Sequence, residues 1–175
     1  MNEDIVIEYL KQTWLGVTRE KGLSGNEVYK YNWLQFIGPS IKSFLHKFEE
    51  YVNGNETELL FVQEIDSLCL KFEGIIRDLI SLRNIDEFRT FYFDRNGNFK
   101  WQNINKYLND SNIFKILRPN EVYFLRYLLI DFKNLRNKVA HSLNFLGEYG
   151  LDNMILLFIA ILRISKCIVL EESKE

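Results

Sequence analysis

At 175 residues, with 47% apolar and 15% aromatic side chains, the chain is long enough to bury a core and too apolar to be disordered. A formal charge of −2 excludes a protein that coats nucleic acid non-specifically, so any RNA or DNA site must be a local patch. The longest apolar run, Met154 to Leu162, is shorter than the roughly 20 residues a bilayer span needs, and the opening MNEDIVIEYL lacks a signal-peptide pattern. The expectation is a soluble, cytoplasmic protein of one domain, residues 1–175, with no membrane partner.

Ile5, Val6, Tyr9 and Leu10 predict a first helix from residue 3 to about Trp14. Gly22, Ser24, Gly25 and Asn26 mark a loop flanked by Trp14 and Trp33, which anchor it to the core or, as the alternative, offer an aromatic platform to a base. Residues 1–34 are thus an N-terminal helix and loop, and 38–170 the bundle core. A second helix is expected to begin near Gly38, with Pro39 in its first turn and Ile41, Phe44, Leu45, Phe48 and Val52 inward. Gly54 suits its left-handed cap, and His46 falls on its polar side as a surface histidine.

Asn55 and Glu58 read as a partial capping box for the longest helix, Glu56 to Leu82. Its inward stripe runs Phe61, Ile65, Leu68, Phe72, Ile75, Ile76, Leu79 and Leu82. Glu73 and Arg77, four apart, make a pair of a few tenths of a kcal/mol, or else Glu73 orients a group on a facing helix. Thr90–Phe93, Asp94–Asn98 and Phe99–Trp101 predict a β-hairpin turning on Asn96-Gly97. Such a hairpin must lean on the helices, although Arg89, Arg95, Phe99, Lys100 and Trp101 could also touch a single-stranded nucleic acid. Asn103 to Leu108 is at most a short helix. Pro119 opens the next, with Val122, Leu125, Leu128 and Leu129 inward, and residues 131–134 break or kink it. Asn134 is placed to cap a helix over Leu135 to Leu143. Residues 147–150 form a loop, and a last helix, Asp152 to Leu170, is apolar almost all round and therefore needs more than one neighbour. The fold class is all-α: an antiparallel bundle of four or five helices with a small β-hairpin insertion.

The stretch that carries chemistry is Leu135-Arg136-Asn137-Lys138-Val139-Ala140-His141-Ser142, in a protein with only two histidines. An imidazole, with an unperturbed pKa of about 6.5, is suited to moving protons near neutrality. Arg136 stays cationic and presents planar donors that match phosphate oxygens. Asn137 and His141 share a helix face, whereas Arg136 and His141 lie roughly 140° apart around the axis. Residues 115–141 carry six lysines and arginines against Glu121 and Asp131, the local surplus an anionic partner requires. Lys133 and Lys138 are its members nearest the motif. Cys69 and Cys167 are far apart in apolar runs and read as reduced core residues. With two histidines and two cysteines, neither kind clustered, no metal or other cofactor is expected.

The Arg-x4-His string, with asparagine directly after the arginine, resembles the signature of the HEPN superfamily (higher eukaryotes and prokaryotes nucleotide-binding domains). Trp33-Leu34 before Pro39, Phe72 to Asp78 and Leu135 to Ser142 are similar to an uncharacterised bacterial family of HEPN-like C-terminal domains, over roughly residues 30 to 145. The resemblance implies a helical bundle, a homodimer with Arg136 and His141 near its two-fold cleft, and metal-independent cleavage of RNA. It also implies a growth-arresting toxin or phage-defence effector, acting with an antitoxin or a larger defence protein. On this reading Arg136, Asn137 and His141 are catalytic, Lys133 and Lys138 bind substrate, and Glu73 and Arg77 support them. Two other readings stay open: a non-catalytic module that dimerises or binds nucleotide, and a structural stretch in which Arg136 pairs Glu73 and His141 caps a helix.

Overall fold

The computed structural model describes residues 2–22, 28–55, 58–83, 88, 90–141 and 145–167. In chain order the elements are α1 (Glu3–Lys11), β1 (Arg19–Gly22), β2 (Val28–Tyr31), α2 (Trp33–Val52), α3 (Val62–Arg83), β3 (Phe91–Phe93), β4 (Phe99–Trp101), α4 (Ile104–Asn109), α5 (Pro119–Arg126), α6 (Leu135–Ala140) and α7 (Leu151–Ser165). Short 3₁₀ turns cover Ser111–Lys115 and Leu146–Tyr149, and one π-helical turn covers Tyr127–Asp131. The protein is mostly helical, with two small antiparallel hairpins.

Asparagine sets several helix ends. The side chain of Asn2 accepts from the amides of Asp4 and Ile5, and that of Asn103 from Lys106, each satisfying donors a helix start leaves orphaned. Asn32 and Gln35 form a reciprocal capping box at the start of α2. That box moves the helix start from the expected Gly38 back to Trp33, with Pro39 inside the helix. Pro39 is tolerated because Gly38 before it has no Cβ to meet the proline ring. The far end of α2 closes as expected. Gly54 has φ +78°, its amide donates to Tyr51, and the Asn55 amide donates to Glu50, a full Schellman pair.

Two compact units partition the chain: residues 1–68 with 146–175, and residues 69–145, the boundary falling within α3. In the first, Phe44 packs edge-on against Phe61 at 5.5 Å and lies 5.4 Å from Phe158. Trp14, 1% exposed, donates its indole N–H to the Ile164 carbonyl at 2.7 Å. Trp33 is also buried, so both tryptophans serve packing. β1 and β2 pair as a hairpin, with Lys30 bonded to Glu20 opposite it at 3.1 Å. The glycines and polar residues pointed to a loop here. Residues 24–26 of that loop lie outside the described residues, and the strands beside them were not anticipated.

Three further helix boundaries need correction. α1 stops at Lys11, its cap residue Gln12 already turning back on Glu8 and Tyr9. α3 begins at Val62, not Glu56. Residues 58–61 are non-helical because the amide of the fully buried Phe61 donates to the Tyr149 carbonyl, a partner far along the chain that local capping signals cannot reveal. Residues 56–57 lie outside the described residues. Phe61 is buried just ahead of α3 and its inward stripe holds from Ile65 to Leu79, but Leu82 is 48% exposed and Ile80 is buried in its place. α7 ends at Ser165, with Lys166 as its cap, rather than at Leu170, which lies outside the described residues, as does the tail 171–175. Met154, Leu157, Phe158, Ile161 and Ile164 are buried along it, while Ile159 is exposed. No helix among the described residues is long and apolar enough to cross a membrane.

Glu64, 2% exposed, is a buried acid of the first unit. Burial pushes its carboxyl up, but a hydrogen bond from Ser43 and an ion pair with Lys47 at 2.9 Å outweigh it and hold the pKa below the ordinary value. A depressed folded-state pKa gives stability that is present above the unfolded value of about 4.3 and lost as pH falls through the folded one. Glu64→Gln should therefore lower stability at neutral pH and flatten its decline on acidification. Urea unfolding at a series of pH values below neutrality measures both.

Candidate functional site

The second unit builds its polar centre on Glu73, midway along α3. Position 77 is one turn further on, so the Arg77 and Glu73 side chains meet, Nη2 to Oε1 at 3.2 Å. The other carboxylate oxygen receives Arg136 Nη2 at 2.7 Å, a contact across 63 residues of sequence. Arg136 also donates Nη1–H to the side-chain oxygen of Asn137 at 3.1 Å. One carboxylate thus holds two guanidiniums, each about a fifth to a quarter exposed. Charge-assisted hydrogen bonds of this kind are roughly twice as strong as neutral ones.

Arg77 extends the network. Its Nε donates to the Tyr107 hydroxyl at 3.3 Å, and that hydroxyl donates to the Thr90 carbonyl at 2.9 Å, at the foot of the β3–β4 hairpin. The guanidinium also lies 4.4 Å over the Trp101 ring. Burial raises the Tyr107 phenol above its ordinary value, with the Arg77 bond and charge opposing. Its proton therefore stays in place to bond Thr90.

Arg136 sits in the first turn of α6, whose entry is unusual. α5 opens at Pro119 as expected, with Val122 and Leu125 buried, and then widens into the π turn, where Leu128 and Leu129 are buried. Arg126 and Asp131 pair across that turn at 3.1 Å. π turns recur at functional sites. The expected break at 131–134 follows, ending at Asn134, which has φ +52°. Asparagine is among the few residues that enter this left-handed region readily. It stands at the capping position of α6 but makes no side-chain cap bond, and its Oδ1 is buried without a hydrogen bond. Capping by the Asn134 side chain is corrected on this point: a left-handed backbone turns the side chain away from the amides of the first turn.

α6 ends at Ala140, with His141 as its cap residue, its amide bonded to the Asn137 carbonyl at 3.0 Å. Residues 142–144 lie outside the described residues. The imidazole of His141 is exposed and makes no side-chain hydrogen bond among the described residues. Among the described residues no side-chain bond joins it to Arg136, which gives one donor each to Glu73 and Asn137. Lys133 and Lys138 are half-buried, their amides bonded to the carbonyls of Tyr127 and Asn134. His46 is exposed on α2, as expected of a surface histidine. Cys69 is buried and Cys167 only half so. Among the described residues no three His, Cys, Asp or Glu side chains converge as metal ligands.

Arg136, Asn137, Glu73 and Arg77 are therefore brought together, with His141 one turn along α6. Sequence reasoning did not find Tyr107 or Trp101 as partners of Arg77. A tyrosine in a short helix after a hairpin carries no periodic signal that would mark it. No protein-family model matches the chain, and neither a curated protein nor a solved structure is detectably similar to it.

Tyr107→Phe removes one donor to a buried carbonyl and an acceptor for Arg77. Because the Gln102 amide still donates to that carbonyl at 3.0 Å, the substitution should cost about 1 kcal/mol, the usual net contribution of a hydrogen bond, and lower Tm by a few degrees without altering the far-UV spectrum. Calorimetry on the variant gives the figure.

Proposed function

We propose that this chain is a HEPN-like endoribonuclease that cleaves single-stranded RNA through the RNA's own 2′-hydroxyl, by a route that requires no metal. The observation that supports it most is the setting of Arg136. Its guanidinium is steered by a carboxylate on one side and an amide on the other, yet only two of its five N–H groups are engaged by the bonds described. A preorganised cation with donors to spare suits a phosphate that gains charge in the transition state.

The chemistry follows from the groups. The 2′-oxygen attacks phosphorus as an imidazole takes its proton, the P–O5′ bond breaks, and a second, protonated imidazole donates to the departing 5′-oxygen. The products are a 2′,3′-cyclic phosphate and a 5′-hydroxyl. Arg136 holds the equatorial oxygens, and Asn137 orients the phosphate or the imidazole. Lys133 and Lys138 add positive charge beside α6. Glu73 and Arg77 position Arg136 without touching substrate. One His141 cannot be base and acid at once, so two copies of the chain supply one each. The two imidazoles would titrate as a coupled pair.

An exposed aromatic row favours that homodimer. Tyr123 and Phe132 are 64% and 74% exposed, and Tyr127 stacks on Phe132 at 5.3 Å. Such rings at the surface near a site are what a partner face provides. The reading brings with it the rest of the resemblance: an antiparallel bundle of four or five helices in one domain, a cytoplasmic location, and a role as toxin or phage-defence effector beside an antitoxin or larger defence protein.

A second reading has one observation in its favour. Arg136 is bonded to Glu73 and Asn137, and no side-chain bond ties it to His141. A non-catalytic module that dimerises or binds nucleotide or RNA for another protein needs no more than this.

Cleavage of labelled single-stranded RNA in EDTA separates the two. The wild type should cut and leave 2′,3′-cyclic phosphate ends. His141→Ala and Arg136→Ala should each lower the rate by about a hundredfold or more while staying folded. Cutting that vanishes in EDTA contradicts the metal-free route, and a folded dimer inert toward varied RNAs leaves the binding module as the function.

A further inference from the structure

The β3–β4 hairpin was expected to lean on the helices. It does so through Tyr107 to Thr90 and Arg77 to Trp101 at the base, and through Lys106 to Tyr92 on one face. Every residue of the two strands is exposed. Phe91 pairs with Trp101 and Phe93 with Phe99, so all four rings share one face of the ribbon. They form one patch, with centroids 4.7 Å apart for Phe99 and Trp101, 5.2 Å for Phe91 and Phe99, and 6.2 Å for Phe93 and Phe99. Each is more than a third exposed, Phe93 at 63%. A hairpin this short gains little by showing four aromatic rings to water.

The charge around the rings selects the occupant. Arg95 is exposed at the hairpin turn, Lys100 is exposed opposite Tyr92 on the other face, where Lys106 lies 5.2 Å from the Tyr92 ring, and Arg77 backs Trp101. The one acid of the hairpin, Asp94, is committed to the turn. Its carboxylate accepts from the amides of Asn96 and Asn98 and is held below its ordinary pKa chiefly by the latter. No aliphatic side chain lies in either strand. Flat rings edged by cations and free of aliphatic knobs match a nucleobase ladder with its phosphates.

We propose that this face is a stacking platform for the bases of single-stranded RNA, carrying the strand toward Arg136 along the contacts from Trp101 through Arg77 to Glu73. The identity of the strand as substrate rests on the ribonuclease reading; the place rests on the hairpin's own rings.

Trp101 supplies the readout, because Trp14 and Trp33 are buried and it is 44% exposed. A short single-stranded oligonucleotide with 2′-O-methyl sugars cannot be cleaved by 2′-attack, so its binding is independent of catalysis. Titrated into the full chain, it should quench tryptophan fluorescence saturably, and Trp101→Phe should abolish the signal. Phe93→Leu with Phe99→Leu keeps apolar volume but removes two π faces, and should weaken binding about tenfold or more. Arg95→Gln with Lys100→Gln should reduce the salt dependence. Absence of saturable quenching, as expected if the rings seat a protein, overturns the platform. So does an affinity that ignores the leucine substitutions. Ring-dependent binding without any cleavage upholds the platform and removes the ribonuclease reading. Cleavage that depends on Arg136 and His141 but not on the rings does the reverse.

Discussion

One carboxylate, Glu73, holds two guanidiniums from opposite directions in sequence, Arg77 a turn away and Arg136 in a helix 63 residues later. Most of what is distinctive in the second unit depends on that arrangement. A half-buried carboxylate is costly to leave unpaired, and here both oxygens are engaged. Arg77 is in turn fixed by Tyr107 and Trp101, which ties the hairpin base to α3. Arg136 is fixed by Glu73 and Asn137, which sets the direction of its remaining donors. The same bonds that hold α6 against α3 orient the group best suited to bind phosphate.

The backbone around α6 is irregular where a regular helix would have been cheaper. A continuous helix from Pro119 would rotate Arg136 by about 100° per residue with no freedom to choose its face. The π turn, the left-handed Asn134 and the six-residue α6 break that continuity. They let Arg136 meet Glu73 while His141 stays at the surface. Local irregularity of this sort is commonly retained where a site requires it. An exposed imidazole contributes nothing to the core, and the proposed reaction, shared between two copies, would need it exposed.

Much of the fold was readable from residue pattern. The buried positions of α3 from Ile65 to Leu79, the Gly54 cap, the Asn96-Gly97 turn and the Pro119 helix start all follow from local periodicity and turn chemistry, and local rules operate within a few residues. What escaped was decided at long range. α3 starts late because Phe61 bonds Tyr149, and α2 starts early because a capping box outweighs the proline signal. The β1–β2 hairpin has short strands with little alternation, so period alone did not show it. At the site, the pattern named Arg136, Asn137, His141 and Glu73, and offered the Glu73–Arg136 pair among its readings. It did not give the shared carboxylate or the exposed ring face, because both depend on how elements distant in sequence pack in space.

The most direct measurement is single-turnover cleavage of a single-stranded RNA by Glu73→Gln beside its thermal unfolding. Glutamine keeps the shape and one acceptor but removes the charge that steers Arg136. If Glu73 positions Arg136 for the transition state, the cleavage rate should fall by about tenfold or more while KM changes little and the protein stays folded at the assay temperature. A variant that loses stability yet cuts RNA at the wild-type rate would contradict the account, leaving the pair as a fastening of the fold alone.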